Sequence, residues 1–80
     1  MSSQRSSANW LSDEMAQALA AMCPPLQTAD VLSAADRLTE HATSPTVVLV
    51  DAMFRSGGDR VNLRNVLEAL HALYALHAPT

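Results

Sequence analysis

The amino-acid sequence predicts an all-α fold: a small bundle of three to four helices joined by short turns, oligomeric in solution. Three observations carry that expectation. Four stretches repeat apolar residues at spacings of three and four, which is the helical period. Pro24-Pro25, Pro45 and Gly57-Gly58 fall between those stretches and break them. The chain is also too small to be self-sufficient: 80 residues with a single cysteine, Cys23, can close no internal disulfide. A core of this size rarely supplies more than about 3–5 kcal/mol, so association is the remaining source of extra stability. Residues 1–8 are expected to be a disordered polar tail, and residues 9–78 a single helical domain.

The first segment is WLSDEMAQALAAMC, starting at Trp10. Leu11, Met15, Ala18 and Met22 recur on one stripe, with Leu19 beside it. Asn9 or Ser12 caps the start, and Asp13 and Glu14 follow near the positive end of the helix dipole. Pro24-Pro25 ends it, because proline disfavours α geometry in the residue before it. The second segment is TADVLSAADRLTEHA, with Thr28 as the expected N-cap. Val31, Ala35, Leu38 and Ala42 make a narrow face whose alanines admit a close helix neighbour.

The third segment, SPTVVLVDAMFRSGG, carries strand-prone residues at 46–50. Ser44-Pro45 is nevertheless a good N-cap and first-turn pair, and the apolar run continues through Phe54 without a turn. No second strong strand exists to pair with it. It reads as a helix, apolar almost all round and so expected to be the central, most buried element. Gly57-Gly58 ends it, with one glycine left-handed.

The fourth segment is NLRNVLEALHALYALHA, capped by Asp59 or Asn62. Leu63, Val66, Leu70, Leu73 and His77 alternate spacings of three and four. Leu67 and Tyr74 widen that seam on one side and Leu76 on the other. Arg64 and Glu68 form an i,i+4 pair worth about 0.3–0.5 kcal/mol. The arc is wider than one intramolecular neighbour needs. The expectation is that this helix packs inward on the third and outward on a partner, through Leu63, Val66, Leu67, Leu70, Leu73, Tyr74 and His77. The alternative is that the whole arc is monomer core.

Chemistry is sparse. His41, His71, His77 and Cys23 are the soft donors, and His71 and His77 lie six apart rather than at the i,i+4 spacing of a helical metal pair. No metal, cofactor or small-molecule ligand is expected. A seam histidine at 77 would make association pH-sensitive. Cys23 ends a helix, where nothing activates a thiol, and reads as structural. SGGD lacks the rest of a phosphate loop, and the segment lacks the acidic ligands of an EF-hand. Asp51, within the apolar third segment, is expected in an ion pair with Arg55 or Arg37 or at a solvated edge. Nothing converges as a catalytic constellation, so an enzyme is not expected.

The net charge is −3, and all five cations are arginines. Only Arg55, Arg60 and Arg64 come near one another. A free-standing nucleic-acid binder normally needs a broader basic stripe. No stretch approaches the ~20 apolar residues of a membrane span. The lone thiol fits the reducing cytoplasm.

From Leu49 to Leu73 an apolar helix, the turn RSGGDRVN and the apolar helix LRNVLEALHAL follow one another. This stretch resembles the small enterobacterial biofilm and acid-resistance connector proteins of the AriR (YmgB) type. The shared letters are Leu49, Met53, Ser56, Gly57, Asp59, Val61, Asn62, Asn65, Leu70, His71 and Leu73. The resemblance implies a short all-helical homodimer acting in two-component signalling, biofilm formation and acid resistance, with no catalytic residues. The leading functional expectation is therefore a regulatory adaptor that works by helix-mediated contact with itself or another helical protein. The alternatives are a secretion-type chaperone shielding a client's amphipathic helix, and a dimeric DNA-binding regulator using Arg55, Arg60 and Arg64.

Overall fold

Four helices follow one another: α1 Asp13–Met22, α2 Thr28–His41, α3 Thr46–Ser56 and α4 Arg60–His77. A computed structural model describes residues 9–24, 26–41 and 45–77, and no strand occurs among them. The expected tail at 1–8, Pro25, Ala42 and Ser44 lie outside the described residues. Residues 46–50 are helical, despite their β-branched content.

The helix boundaries follow from capping chemistry. Ser12 starts α1: its hydroxyl accepts from the Met15 backbone N–H at 3.1 Å. Thr28 is the first residue of α2 rather than its cap. The capping is done from inside the helix, where the Asp30 carboxylate accepts from the Gln27 backbone N–H at 3.0 Å. Pro45 precedes α3 with φ −72° and ψ −4°, already helical, so its rigid ring pre-forms the first turn. Asp59 starts α4 and accepts from the Val61 N–H at 2.8 Å.

Gly57 terminates α3 in the left-handed region, at φ 75°. The Gly58 N–H then reaches back to the Met53 carbonyl at 3.2 Å, the six-to-one bond of a Schellman-type ending. A Cβ at position 57 would meet nothing within 4 Å, so the demand for glycine is conformational and not steric.

The helices close a ring in which α1 packs on α2, α2 on α3, α3 on α4, and α4 back on α1. The core inside it holds Leu11, Leu19, Val31, Leu49, Val66 and Leu70, with Cys23 at the end of α1. Ala34 and Ala35 of α2 are fully buried, the close approach expected of small residues.

Two expectations about faces are corrected. In α1 the inward stripe is Ala16, Leu19, Ala20 and Cys23, while Met15 and Met22 are 42% and 41% exposed and Ala18 faces solvent. The ten-residue helix carries two apolar stripes, and the ring selects the one with smaller side chains. Among the described side chains of α3 only Leu49, Ala52 and Met53 are buried, with Val47 71% and Phe54 84% exposed. The helix is not central; it sits between α2 and α4, and among the described residues no element covers its outer side.

Trp10 ties one end of the ring together. Its indole N–H donates to the Thr39 hydroxyl at 2.7 Å, and Thr39 donates in turn to the Ala35 carbonyl at 2.8 Å. Its ring meets Tyr74 edge-on, with centroids 5.5 Å apart, and His77 at 6.5 Å. One side chain thus joins the start of α1 to the C-terminal halves of α2 and α4.

Two substitutions test this account. Gly57→Ala forces a Cβ into left-handed backbone and should lower stability by about 1–2 kcal/mol, read as a fall in the denaturant midpoint. Thr39→Val removes the acceptor of a half-buried indole N–H and should cost about 1 kcal/mol. The tryptophan emission of the folded state should shift with it, whereas an unchanged spectrum and midpoint would contradict the Trp10 contact.

Candidate interaction surface

The residues expected to form an interface on α4 divide into two groups. Leu63, Val66 and Leu70 are buried in the chain's own core. Leu67, Leu73 and Tyr74 are half-buried, and His77 is exposed. The reason is the ring. α4 contacts both α1 and α3, so its wide apolar arc serves two intramolecular neighbours rather than one. Tyr74 and His77 are further engaged by Trp10. Leu76, at 84% exposure, stands apart from this packing.

Besides Leu76 and Val61 of α4, the latter 65% exposed, open apolar surface lies on α3. Val47 and Phe54 project from it, with Val50 half-buried between them. Their spacings of three and four place all three on one ridge of the helix. Beside the ridge runs a shallow groove between α3 and α4, with a volume of roughly 300 Å³. Val50, Met53 and Phe54 form its α3 wall; Leu63 and Leu67 form its α4 wall. Arg60 and Arg64 stand at its edge.

Charge is distributed unequally about this ridge. On the side facing α2, Arg55 approaches Asp51 at 3.5 Å and Asp30 of α2 at 3.9 Å. Asp51 is thus paired with Arg55 at a solvated edge. On the side facing α4, Arg64 pairs with Glu68 at 3.5 Å, as the sequence spacing indicates, and Arg60 carries no ion pair among the described residues. The three arginines do not form one basic patch: Arg55 belongs to one flank, Arg60 and Arg64 to the other. The Arg55–Asp51 and Arg64–Glu68 pairs are solvent-exposed, Asp30 is half-buried, and exposed pairs individually contribute little to stability.

Chemical groups are placed apart from the ridge. Cys23 is fully buried, and its Sγ lies 3.8 Å from the Asp59 carbonyl oxygen. It bridges the end of α1 to the α3–α4 turn as a packing residue. Among the described residues, no group of three or more His, Cys, Asp or Glu side chains comes together. Among the same residues, no helix is long and apolar enough to cross a membrane.

Sequence reasoning missed Val47, Val50 and Phe54 as surface residues. The signal was present: a helix apolar on every side, in a chain too short to surround it, must leave one side open.

Comparison with protein-family models, with curated proteins and with solved structures finds no match for the chain. The fold and this surface carry the functional argument.

The division between core and surface is checked by two truncations. Leu70→Ala should cost about 2–4 kcal/mol through transfer and cavity terms. Phe54→Ser should stay within about 0.5 kcal/mol of the parent, as a surface change away from the core does. Equal losses in a urea titration would show that the ridge is part of the core.

Proposed function

We propose that this protein is a non-enzymatic interaction module, a small adaptor that acts by docking its α3 ridge and the adjoining α3–α4 groove against another helical surface. The observation that carries the reading is Phe54, a large aromatic side chain 84% exposed on a rigid helix beside an apolar groove. An aromatic anchor next to a groove, inside a charged rim, is the anatomy of a protein–protein hot spot. Large exposed apolar ridges are otherwise uncommon on small monomers.

The resemblance to AriR-type connectors supports placing that docking in bacterial signalling and stress response. The closed core, with Leu11, Leu49, Val66 and Leu70 fully buried, favours a subunit that folds alone over a chaperone subunit that depends on its client. The pairing of Arg55 and Arg64 with carboxylates weighs against a DNA-binding surface.

A photoreactive amino acid placed at position 54 in the protein's host cell tests the reading. A discrete cross-linked product is expected from position 54, and none from position 17 on the exposed side of α1. Absence of any product from position 54 would overturn it.

A further inference from the structure

We propose that the α3–α4 groove takes an amphipathic helix of a different protein, and that this helix carries two carboxylates one turn apart beside its apolar stripe, which pair with Arg60 and Arg64. The inference rests on the reading of this face as a docking surface and adds the chemistry by which the occupant is recognised.

The groove combines apolar walls with a guanidinium that the chain leaves uncommitted. Arg60 lines it and forms no ion pair among the described residues. Arg64 lines it four residues further on, so the two cations share one face of α4, about 6 Å apart along the helix. Among the described residues the lining holds both arginines and no carboxylate. The nearby carboxylates are placed elsewhere. Asp59 caps α4, accepting from the Val61 N–H at 2.8 Å. Glu68 reaches Arg64 at 3.5 Å from outside the groove, with both side chains largely exposed. Such a pair is worth little, so Arg64 can exchange Glu68 for a carboxylate brought into the groove.

The opposite flank of the ridge has the other sign. There Asp51 and Asp30 both approach Arg55, two carboxylates against one guanidinium, while on the α4 flank Arg60 and Arg64 face only Glu68. An acidic occupant is therefore drawn to the α4 side and away from the α2 side. That asymmetry selects a narrow occupant. A helix about 10–12 Å across meets one flank with one of its own edges. A planar anionic lipid surface would press on both flanks, exposed Asp51 included. The groove extends from Thr46 to Phe54 on α3, a rise of about 12 Å, which accommodates a little over two turns of helix. Two turns set one carboxylate opposite each arginine. Glu68 stands one turn beyond Arg64 and repels a third, so the acidic run stops at two. The chain's own α3 ridge has Asp51 followed by Arg55 and cannot supply that pair, which assigns the occupant to another protein.

The test is a selection on the purified full chain from a display library of helical peptides that have a fixed leucine stripe and Glu, Gln or Lys at each flanking position. Dissociation constants of the synthesised clones follow. Clones retained by the parent should carry Glu at two positions one turn apart on one flank. Arg60→Ala should weaken their binding about tenfold, and Arg60→Glu should select Lys instead. Glu68→Gln should tighten binding about two- to fivefold by releasing Arg64, a gain that a merely structural role for Glu68 does not give. Arg60 and Glu68 are exposed, so each variant should keep the parent's helical circular dichroism spectrum. Clones without acidic preference, clones bound equally well by Phe54→Asp, or no clone retained would each overturn the inference. Sedimentation with phosphatidylglycerol vesicles, or self-association, that is lost in Phe54→Asp would give the face to a lipid surface or a second copy and overturn it too. The functional reading fails separately: it falls if position 54 gives no cross-linked product in the cell, and it stands if that product forms while the library shows no acidic preference.

Discussion

The constraint on which the structure depends is that no helix of this chain can be surrounded by the others. With four helices of ten to eighteen residues closing a ring, each element has two principal neighbours and one side turned outward. A small domain buries only a modest fraction of its surface, so the outward sides must be tolerable in water or be covered by something else. In α2 the constraint is met by polar residues such as Ser33, Arg37 and Glu40. In α3 it is not met, because Val47 and Phe54 occupy that side. The open surface follows from the geometry of the ring together with one helix whose sequence does not respect it.

The same constraint explains what was and was not legible in the sequence. Local chemistry was readable. Ser12, Asp59 and Gly57 act where hydroxyl, carboxylate and glycine should act, and Arg64 finds Glu68 one turn on. The four helices, including the β-branched run at 46–50, were set by periodicity and punctuation. Orientation was less readable. Met15, Ala18 and Met22 form as regular a stripe as Ala16, Leu19 and Ala20, and periodicity cannot rank two apolar faces of one helix. The choice belongs to tertiary packing, where small side chains let α1 approach α2.

The interface is the clearest case of that limit. On α4, Leu63, Val66 and Leu70 look like a dimer seam because they follow heptad spacing, yet a ring of short helices needs that spacing for its own core. On α3, a helix apolar on every side suggests a central position, yet the chain lacks the mass to enclose it. Both misreadings come from judging an element by its own pattern. A count of available neighbours corrects both: α4 has enough to use its arc, and α3 has too few.

Cys23 carries a consequence of a different kind. Its thiol is fully enclosed between the end of α1 and the α3–α4 turn, far in sequence from the residue it touches. Fraying of α4 at its C-terminal end leaves that enclosure intact. Separation of α1 from the turn that begins α4 would admit a reagent. The rate at which an alkylating probe modifies the sole cysteine therefore depends on how much of the chain has that contact open. Under rapid reclosing, that rate divided by the reactivity of a freely exposed thiol gives the free energy of opening. The chain thus holds a built-in reporter of its own breathing.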